Sequence, residues 1–150
     1  MRSLRSLRVL IIAVGLAAAL ASPALAADAA VAAKAAKPAH IAMGSEVKLA
    51  DHLVAGKTVI FDFYSDFCPP CVAIAPELEK LHAKRADVVV VKVDINRPGI
   101  KGIDWKSPVA QQYNLRSIPH FKVYGPDGKL VAEDGPSSSA ARKIVVGMFE

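Results

Sequence analysis

The feature that most constrains the fold is a pair of cysteines, Cys68 and Cys71, which lies between a hydrophobic segment and a segment of helical pattern. These are the only cysteines in the chain, and two prolines separate them. The preceding segment, Thr58–Tyr64, is rich in β-branched and aromatic residues, which predicts a strand. Its residues are apolar on both faces apart from Asp62, so we expect a central strand that is covered on both sides.

The segment after the first cysteine, residues 69–85, predicts a helix. Proline is tolerated in the first turn, where no backbone N–H is needed, whereas Pro76 inside the pattern predicts a kink. Five side chains recur at helical spacing and predict the buried face of this helix: Val72, Ala75, Leu78, Leu81 and His82.

The other segments complete an α/β pattern. Pro-Asp-Gly between two apolar runs is typical of a hairpin. A parallel crossover followed by an antiparallel pair predicts a mixed central sheet with helices on both faces. In chain order, the patterns predict a strand at 41–49, a short helix at 50–55, a second central strand at 88–93, a loop at 97–108, a short helix at 109–113, a hairpin at 121–124 and 130–132, and a last helix that follows serines 137–139 and ends at Met148.

Residues 1–26 have the pattern of a cleavable export signal. Three arginines precede an apolar run over residues 9–20, and residues 24–26 (Ala-Leu-Ala) offer the small side chains that a signal peptidase reads. A retained membrane anchor is the alternative, but the run is shorter than the ~20 residues of a spanning helix. The Ala-rich residues 27–39 predict a flexible tether, and residues 40–150 predict the folded domain.

Composition and charge limit the classes of partner. With 53% hydrophobic residues, a chain of 150 residues is too hydrophobic for intrinsic disorder. The formal net charge is +5, and removal of residues 1–26, which hold three arginines and no acid, would lower it to +2. The sequence has no stripe of Lys and Arg interleaved with aromatic residues, which argues against nucleic acid as a partner.

The spacing of the cysteines predicts redox chemistry. If Cys68 caps the helix, Cys71 is its third residue, and the helix dipole favours a thiolate at this end. Such surroundings lower the pKa of a thiol below its ordinary value of about 8.5. The thiolate of Cys68 would then attack a disulfide, and Cys71, one turn further on, would resolve the mixed disulfide.

Two other uses of the cysteines are open. A purely structural disulfide would close a very small loop and would constrain the unfolded chain little. Zinc requires four ligands, and the sequence has no second cysteine pair or His-rich tract, although two thiolates could hold copper(I). We expect redox catalysis without a bound metal or cofactor.

Several landmarks follow one another in a known order. They are the hydrophobic strand before the cysteine pair, Pro76 five residues after Cys71, the segment Lys-Val-Asp-Ile-Asn at 92–96, and Ile118-Pro119. In these landmarks the chain resembles the thioredoxin family over roughly residues 47–148. The resemblance implies the thioredoxin fold, thiol–disulfide oxidoreductase activity, and a cis peptide bond before Pro119 that faces the cysteines.

The resemblance also implies roles for residues around the cysteines. Asp62 corresponds to a buried acid whose raised pKa would let it exchange a proton with Cys71 through water. The alternative is an acid at a strand end that faces solvent. Lys92 corresponds to the lysine that partners this acid, and Pro119 would present backbone to which a substrate adds a strand. Six residues are expected to contact substrate: Phe67, Pro69, Pro70, Ile118, Pro119 and His120.

Three of these residues depart from the family pattern. Phe67 replaces the usual Trp, Pro69 replaces the usual Gly, and His120 replaces a usual Thr. As a cation, His120 would stabilise the thiolate, and the alternative is a solvated loop histidine. The loop at 97–108 is longer than is common, and Trp105 within it either covers the site, contacts partners or anchors the loop.

The sequence therefore predicts an exported, periplasmic oxidoreductase that reduces protein disulfides as a monomer, with a membrane protein as electron donor or acceptor. The same cysteine pair run in reverse would make a disulfide-forming oxidant, and a copper(I) carrier without turnover is a further alternative. An oxidant of that compartment usually carries a large helical insertion, which the loop at 97–108 cannot hold, so the reductant is favoured.

Overall fold

The computed structural model describes residues 37–135 and 138–150. The predicted signal at 1–26 and residues 27–36 of the predicted tether lie outside the described residues. None of the helices in these described residues combines the length and the hydrophobicity that a membrane span requires.

A mixed five-stranded sheet forms the centre of the domain. Its strands are β1 (Ala39–Ile41), β2 (Thr58–Tyr64), β3 (Val88–Asp94), β4 (His120–Tyr124) and β5 (Leu130–Glu133), in the spatial order β1-β3-β2-β4-β5. Strands β1, β3 and β2 are parallel, whereas β4 is antiparallel to both β2 and β5. The strand that carries Asp62 is therefore central, as its two-sided hydrophobicity predicted.

Helices cover both faces of the sheet, as predicted. They are α1 (Pro69–Lys84), α2 (Pro108–Gln112) and α3 (Ala140–Gly147), together with a 3₁₀ helix at Leu49–His52. On one face, Leu78 of α1 and Val145 of α3 pack in one cluster with Ile60. On the other face, Val109 of α2 packs in a cluster with Phe61. This arrangement places the start of α1, and with it the cysteine pair, at the end of the central strand.

The predicted first strand at 41–49 is wrong in position, because β1 ends at Ile41. Ala42, Met43 and Gly44 all have positive φ values (75°, 48° and 80°), and they turn the chain out of the sheet. A Cβ on Gly44 would lie 2.6 Å from the backbone nitrogen of Arg97, so this turn requires glycine. The predicted helix at 50–55 is a shorter 3₁₀ helix that ends at His52.

The predicted inner face of α1 is wrong at one position. Leu78, Leu81 and His82 are buried and Ala75 is half-buried, but Val72 is 56% exposed. The buried position in that turn is Cys71 instead, because the redox pair rather than Val72 faces the core at the start of the helix.

We expect Leu78→Ala to lower the free energy of unfolding by about 2–5 kcal/mol, because it leaves a cavity between α1 and the sheet. Val72→Ala on the same helix is the matched control and should change it by less than about 0.5 kcal/mol. Urea denaturation of both oxidised variants measures the difference. Equal losses would contradict the assignment of the buried face.

Candidate active site

The two cysteines lie at the N-terminus of α1 and are joined by a disulfide bond. Cys68 is the N-cap residue, and its Sγ accepts a hydrogen bond from the backbone N–H of Cys71 at 3.3 Å. Pro69 and Pro70 occupy the first two helical positions, where a missing N–H costs no intrahelical bond. Because a helix N-terminus favours negative charge, a Cys68 thiolate formed on reduction would be stabilised here.

The disulfide lies in apolar surroundings, and exposed side chains of neighbouring residues border it. Both cysteines are buried in a cluster with Tyr64, and Ile103 and Ile118 pack against this cluster. The outer rim consists of side chains that the sequence predicted as substrate contacts: Phe67, Pro69 and Pro70, all of which are exposed.

The peptide bond between Ile118 and Pro119 is cis, as the resemblance implied. The carbonyl oxygen of Ile118 lies 3.6 Å from Sγ of Cys68, so this turn reaches the disulfide. From α3, the Arg142 guanidinium donates a hydrogen bond to the carbonyl of Pro119. Asp134 accepts hydrogen bonds from the backbone N–H of Arg142 at 3.0 Å and of Phe121 at 3.2 Å. These contacts tie the cis-proline turn to α3 and β4.

Asp62 is completely buried in the centre of the sheet, which excludes the alternative of a solvent-facing acid. Within the described residues, neither of its carboxylate oxygens accepts a hydrogen bond. Burial raises the pKa of Asp62 to about 7, while the charges of Lys92 and Arg142 oppose this rise. At neutral pH the group can therefore both take up and release a proton.

Lys92 occupies the position on β3 that pairs with Asp62 on β2. It is only 6% exposed, and its ammonium lies 4.1 Å from the centroid of the Tyr64 ring. Lys92, the predicted partner of Asp62, is thus its neighbour in the sheet. The Lys92 ammonium contacts an aromatic face, however, and does not donate a hydrogen bond to Asp62.

The alternative that His120 is a solvated loop histidine is wrong, and its burial argues against a cation as well. His120 begins β4, is 7% exposed and packs edge-on against the Phe63 ring. Burial lowers its pKa, although Asp134 and Glu133 oppose that effect. Its Nε2 is 3.5 Å from Oε1 of Glu133. The neutral imidazole is the favoured form at neutral pH, so His120 does not provide the positive charge that was expected to stabilise the thiolate.

The loop at 97–108 is closed on itself by an ion pair, and it packs against the domain. Arg97 makes a bidentate ion pair with the buried Asp104, with nitrogen–oxygen distances of 2.7 and 3.0 Å. Ile103 carries the loop against the cysteine cluster. Trp105 is partly exposed, and its carbonyl accepts a hydrogen bond from the Gln111 side chain at 2.6 Å.

Three side chains near the site were not singled out from the sequence: Tyr64, Ile103 and Arg142. Tyr64 lies two residues after Asp62 on one strand, so strand alternation could have placed it on the same face. The other two reach the site from distant parts of the chain, and no local pattern marks them.

No group of three or more His, Cys, Asp or Glu side chains able to hold a metal ion occurs in residues 37–135 and 138–150.

This chain is similar in sequence to known thioredoxins. The family profile named Thioredoxin matches residues 45–146. A thioredoxin-like protein of Fusarium culmorum is 36% identical over 100 residues, which is 64% of this chain and 73% of that protein. Chloroplastic thioredoxin F2 of Arabidopsis thaliana is 35% identical over 77 residues, which is 51% of this chain and only 37% of that protein.

Solved structures share the fold. A mutant thioredoxin from Halobacterium salinarum matches with a TM-score of 0.51 at 25% identity, over 76% of this chain and 92% of that one. The oxidised thioredoxin of Plasmodium falciparum matches with a TM-score of 0.50 at 25% identity, over 75% of this chain and 99% of that one.

Proposed function

Because this chain belongs to the thioredoxin family, we propose that it is a thiol–disulfide oxidoreductase that reduces protein disulfides through Cys68 and Cys71. The observation that carries the proposal is the cysteine pair at the N-terminus of α1, with the cis-proline turn 3.6 Å from Cys68. A purely structural disulfide would need neither this turn nor a buried acid in the adjacent strand.

The reaction transfers two electrons from the reduced pair to the substrate. The Cys68 thiolate attacks one substrate sulfur, the substrate disulfide breaks, and its second sulfur leaves as a thiolate. Cys71 then loses its proton and attacks Sγ of Cys68. The mixed disulfide breaks, the first substrate sulfur leaves as a thiolate, and the bond between Cys68 and Cys71 forms again.

In this scheme Asp62 takes the proton from Cys71 by way of water. A general base works best when its pKa is near the working pH, and burial brings Asp62 there. The charges of Lys92 and Arg142 limit the rise in the pKa of Asp62, so the ionised form remains populated near neutral pH. Asp62 returns the proton by way of water when the cysteine pair is reduced again.

The substrate would add an extended segment beside Ile118 and Pro119 by backbone hydrogen bonds. Phe67 is 49% exposed, and its ring offers an apolar contact next to the attacking sulfur. Pro69 and Pro70 complete this contact rim, whereas His120, which the sequence predicted as a substrate contact, is buried and supports the turn from β4.

We further propose that the protein works in the periplasm as a monomeric reductant supplied with electrons by a membrane partner. The support is the export pattern of residues 1–26 and the loop at 97–108, which cannot hold the large helical insertion usual in an oxidant of that compartment. Mass spectrometry of the protein from a periplasmic extract should find a chain that begins at Ala27. An intact N-terminus in the membrane fraction would contradict the location.

Reduction of insulin by dithiothreitol tests the proposed activity. We expect catalytic amounts of the protein to accelerate the precipitation of the insulin B chain over dithiothreitol alone. A protein that binds one copper(I) ion tightly and leaves the rate unchanged would instead be a carrier, and the proposal would fail.

A further inference from the structure

We propose that Tyr64 is a positioning residue for Asp62: its ring holds the Lys92 ammonium and keeps that charge from pairing directly with the Asp62 carboxylate. The inference rests on the proposed function, because it assigns a controlling group to the same proton-transfer residue.

The geometry of Lys92 is the first support. Lys92 and Asp62 are partners in the register of two parallel strands, so their side chains leave the same face of the sheet. A buried ammonium beside a buried carboxylate is expected to form a hydrogen-bonded ion pair. Here the ammonium lies 4.1 Å from the Tyr64 ring centroid, and within the described residues neither oxygen of Asp62 accepts a hydrogen bond.

The fixed orientation of the Tyr64 ring is the second support. Its hydroxyl lies 2.8 Å from Nδ1 of His40 on β1, and the two rings meet edge to face at 90°. His40 is itself the partner of Lys92 in the sheet. Tyr64 is also buried beside both cysteines. The ring therefore has one orientation, and in it the aromatic face is presented to the ammonium.

The consequence is electrostatic. A cation over an aromatic face gains a favourable interaction, which is larger when the cation is removed from water. Lys92 on β3 and Arg142 on α3 are the cations that act on Asp62, and the carboxylates of Asp66 and Asp94 act electrostatically on Tyr64. By holding Lys92, the ring leaves Asp62 able to keep a proton near neutral pH, which a direct ion pair would oppose.

The test is a carbon-13 NMR titration of the Asp62 carboxyl in the oxidised protein. Tyr64→Leu removes the ring, frees Lys92 to reach Asp62, and should lower the pKa of Asp62 by roughly one unit. Tyr64→Phe keeps the ring face and is the matched control, with a pKa close to that of the wild type. Lys92→Met should raise the pKa of Asp62, and Tyr64→Leu in the Lys92→Met background should have no further effect.

Three results would overturn the inference. They are an unchanged or raised pKa of Asp62 in Tyr64→Leu, the same shift for Tyr64→Leu with and without Lys92, and a pKa of Asp62 that does not rise in Lys92→Met. If Tyr64→Leu does not fold, Tyr64→Met replaces it, and a failure of Lys92→Met to raise the pKa of Asp62 is decisive alone. The titration needs no substrate. Suppose that Tyr64→Leu lowers the pKa of Asp62 as predicted, but Asp62→Asn reduces insulin at the normal rate. The proton-transfer role of Asp62 would then be refuted, and the positioning role of Tyr64 would stand.

Discussion

We expect Cys68→Ser to reduce insulin no faster than dithiothreitol alone, a loss of roughly 100-fold or more, because a serine hydroxyl is not ionised at neutral pH and cannot form a mixed disulfide. The helix N-terminus that stabilises a thiolate at this position cannot compensate for the change of nucleophile. The measurement is the turbidity assay at pH 7, with circular dichroism to confirm that the variant is folded.

Cys71→Ser is the matched variant for this experiment. It keeps the attacking sulfur but lacks the resolving one, so it should accumulate mixed disulfides with its substrates through Cys68. Mixed disulfides formed by Cys68→Ser and not by Cys71→Ser would reverse the roles that we assign. Turnover by either variant at the wild-type rate would contradict the two-cysteine mechanism.

We expect Asp62→Asn to stabilise the oxidised protein, and increasingly so as the pH rises. The folded-state pKa of Asp62 is raised from 3.8 to about 7, so the folded protein holds the proton more tightly than the unfolded chain. The stability that this provides is complete below pH 3.8 and is lost as the pH rises through 7. Because one pKa unit corresponds to about 1.4 kcal/mol, the wild type should lose about 3 kcal/mol through this group between pH 5 and pH 9.

Urea denaturation of the oxidised proteins at pH 5, 7 and 9 measures this effect as the difference between variant and wild type. Asp66→Asn is the control, since Asp66 is an exposed carboxylate four residues further along the chain. If the difference in unfolding free energy between Asp62→Asn and the wild type does not grow with pH, the pKa of Asp62 is not raised by burial.

The central strand and the cysteine site could be predicted from the sequence because local patterns encode them. The bounds of β2 agree with the prediction at both ends, since seven residues of one pattern are bordered by turn residues. The first strand could not be placed, because β1 has three residues and its pairing with β3 is a tertiary effect. The predicted burial of Val72 is wrong, because helical spacing alone does not say which neighbouring residue the site places in the core.

The residues that the sequence did not reveal are those that act across elements. Arg142 reaches the cis-proline carbonyl from the last helix, and Tyr64 lies beneath a lysine from another strand. Burial also changes a prediction that sequence makes from residue type alone. The sequence predicts a cation at His120 next to the cis-proline, but burial against the Phe63 ring favours the neutral form.

The reduction potential of the pair formed by Cys68 and Cys71 tests the central claim most directly. The oxidised and reduced forms are equilibrated with a dithiothreitol or glutathione buffer, and the fraction oxidised is read by thiol alkylation. A reductant should give a value near about −270 mV, as thioredoxin does. A value near about −120 mV, typical of a strong oxidant, would contradict the proposed direction of electron flow.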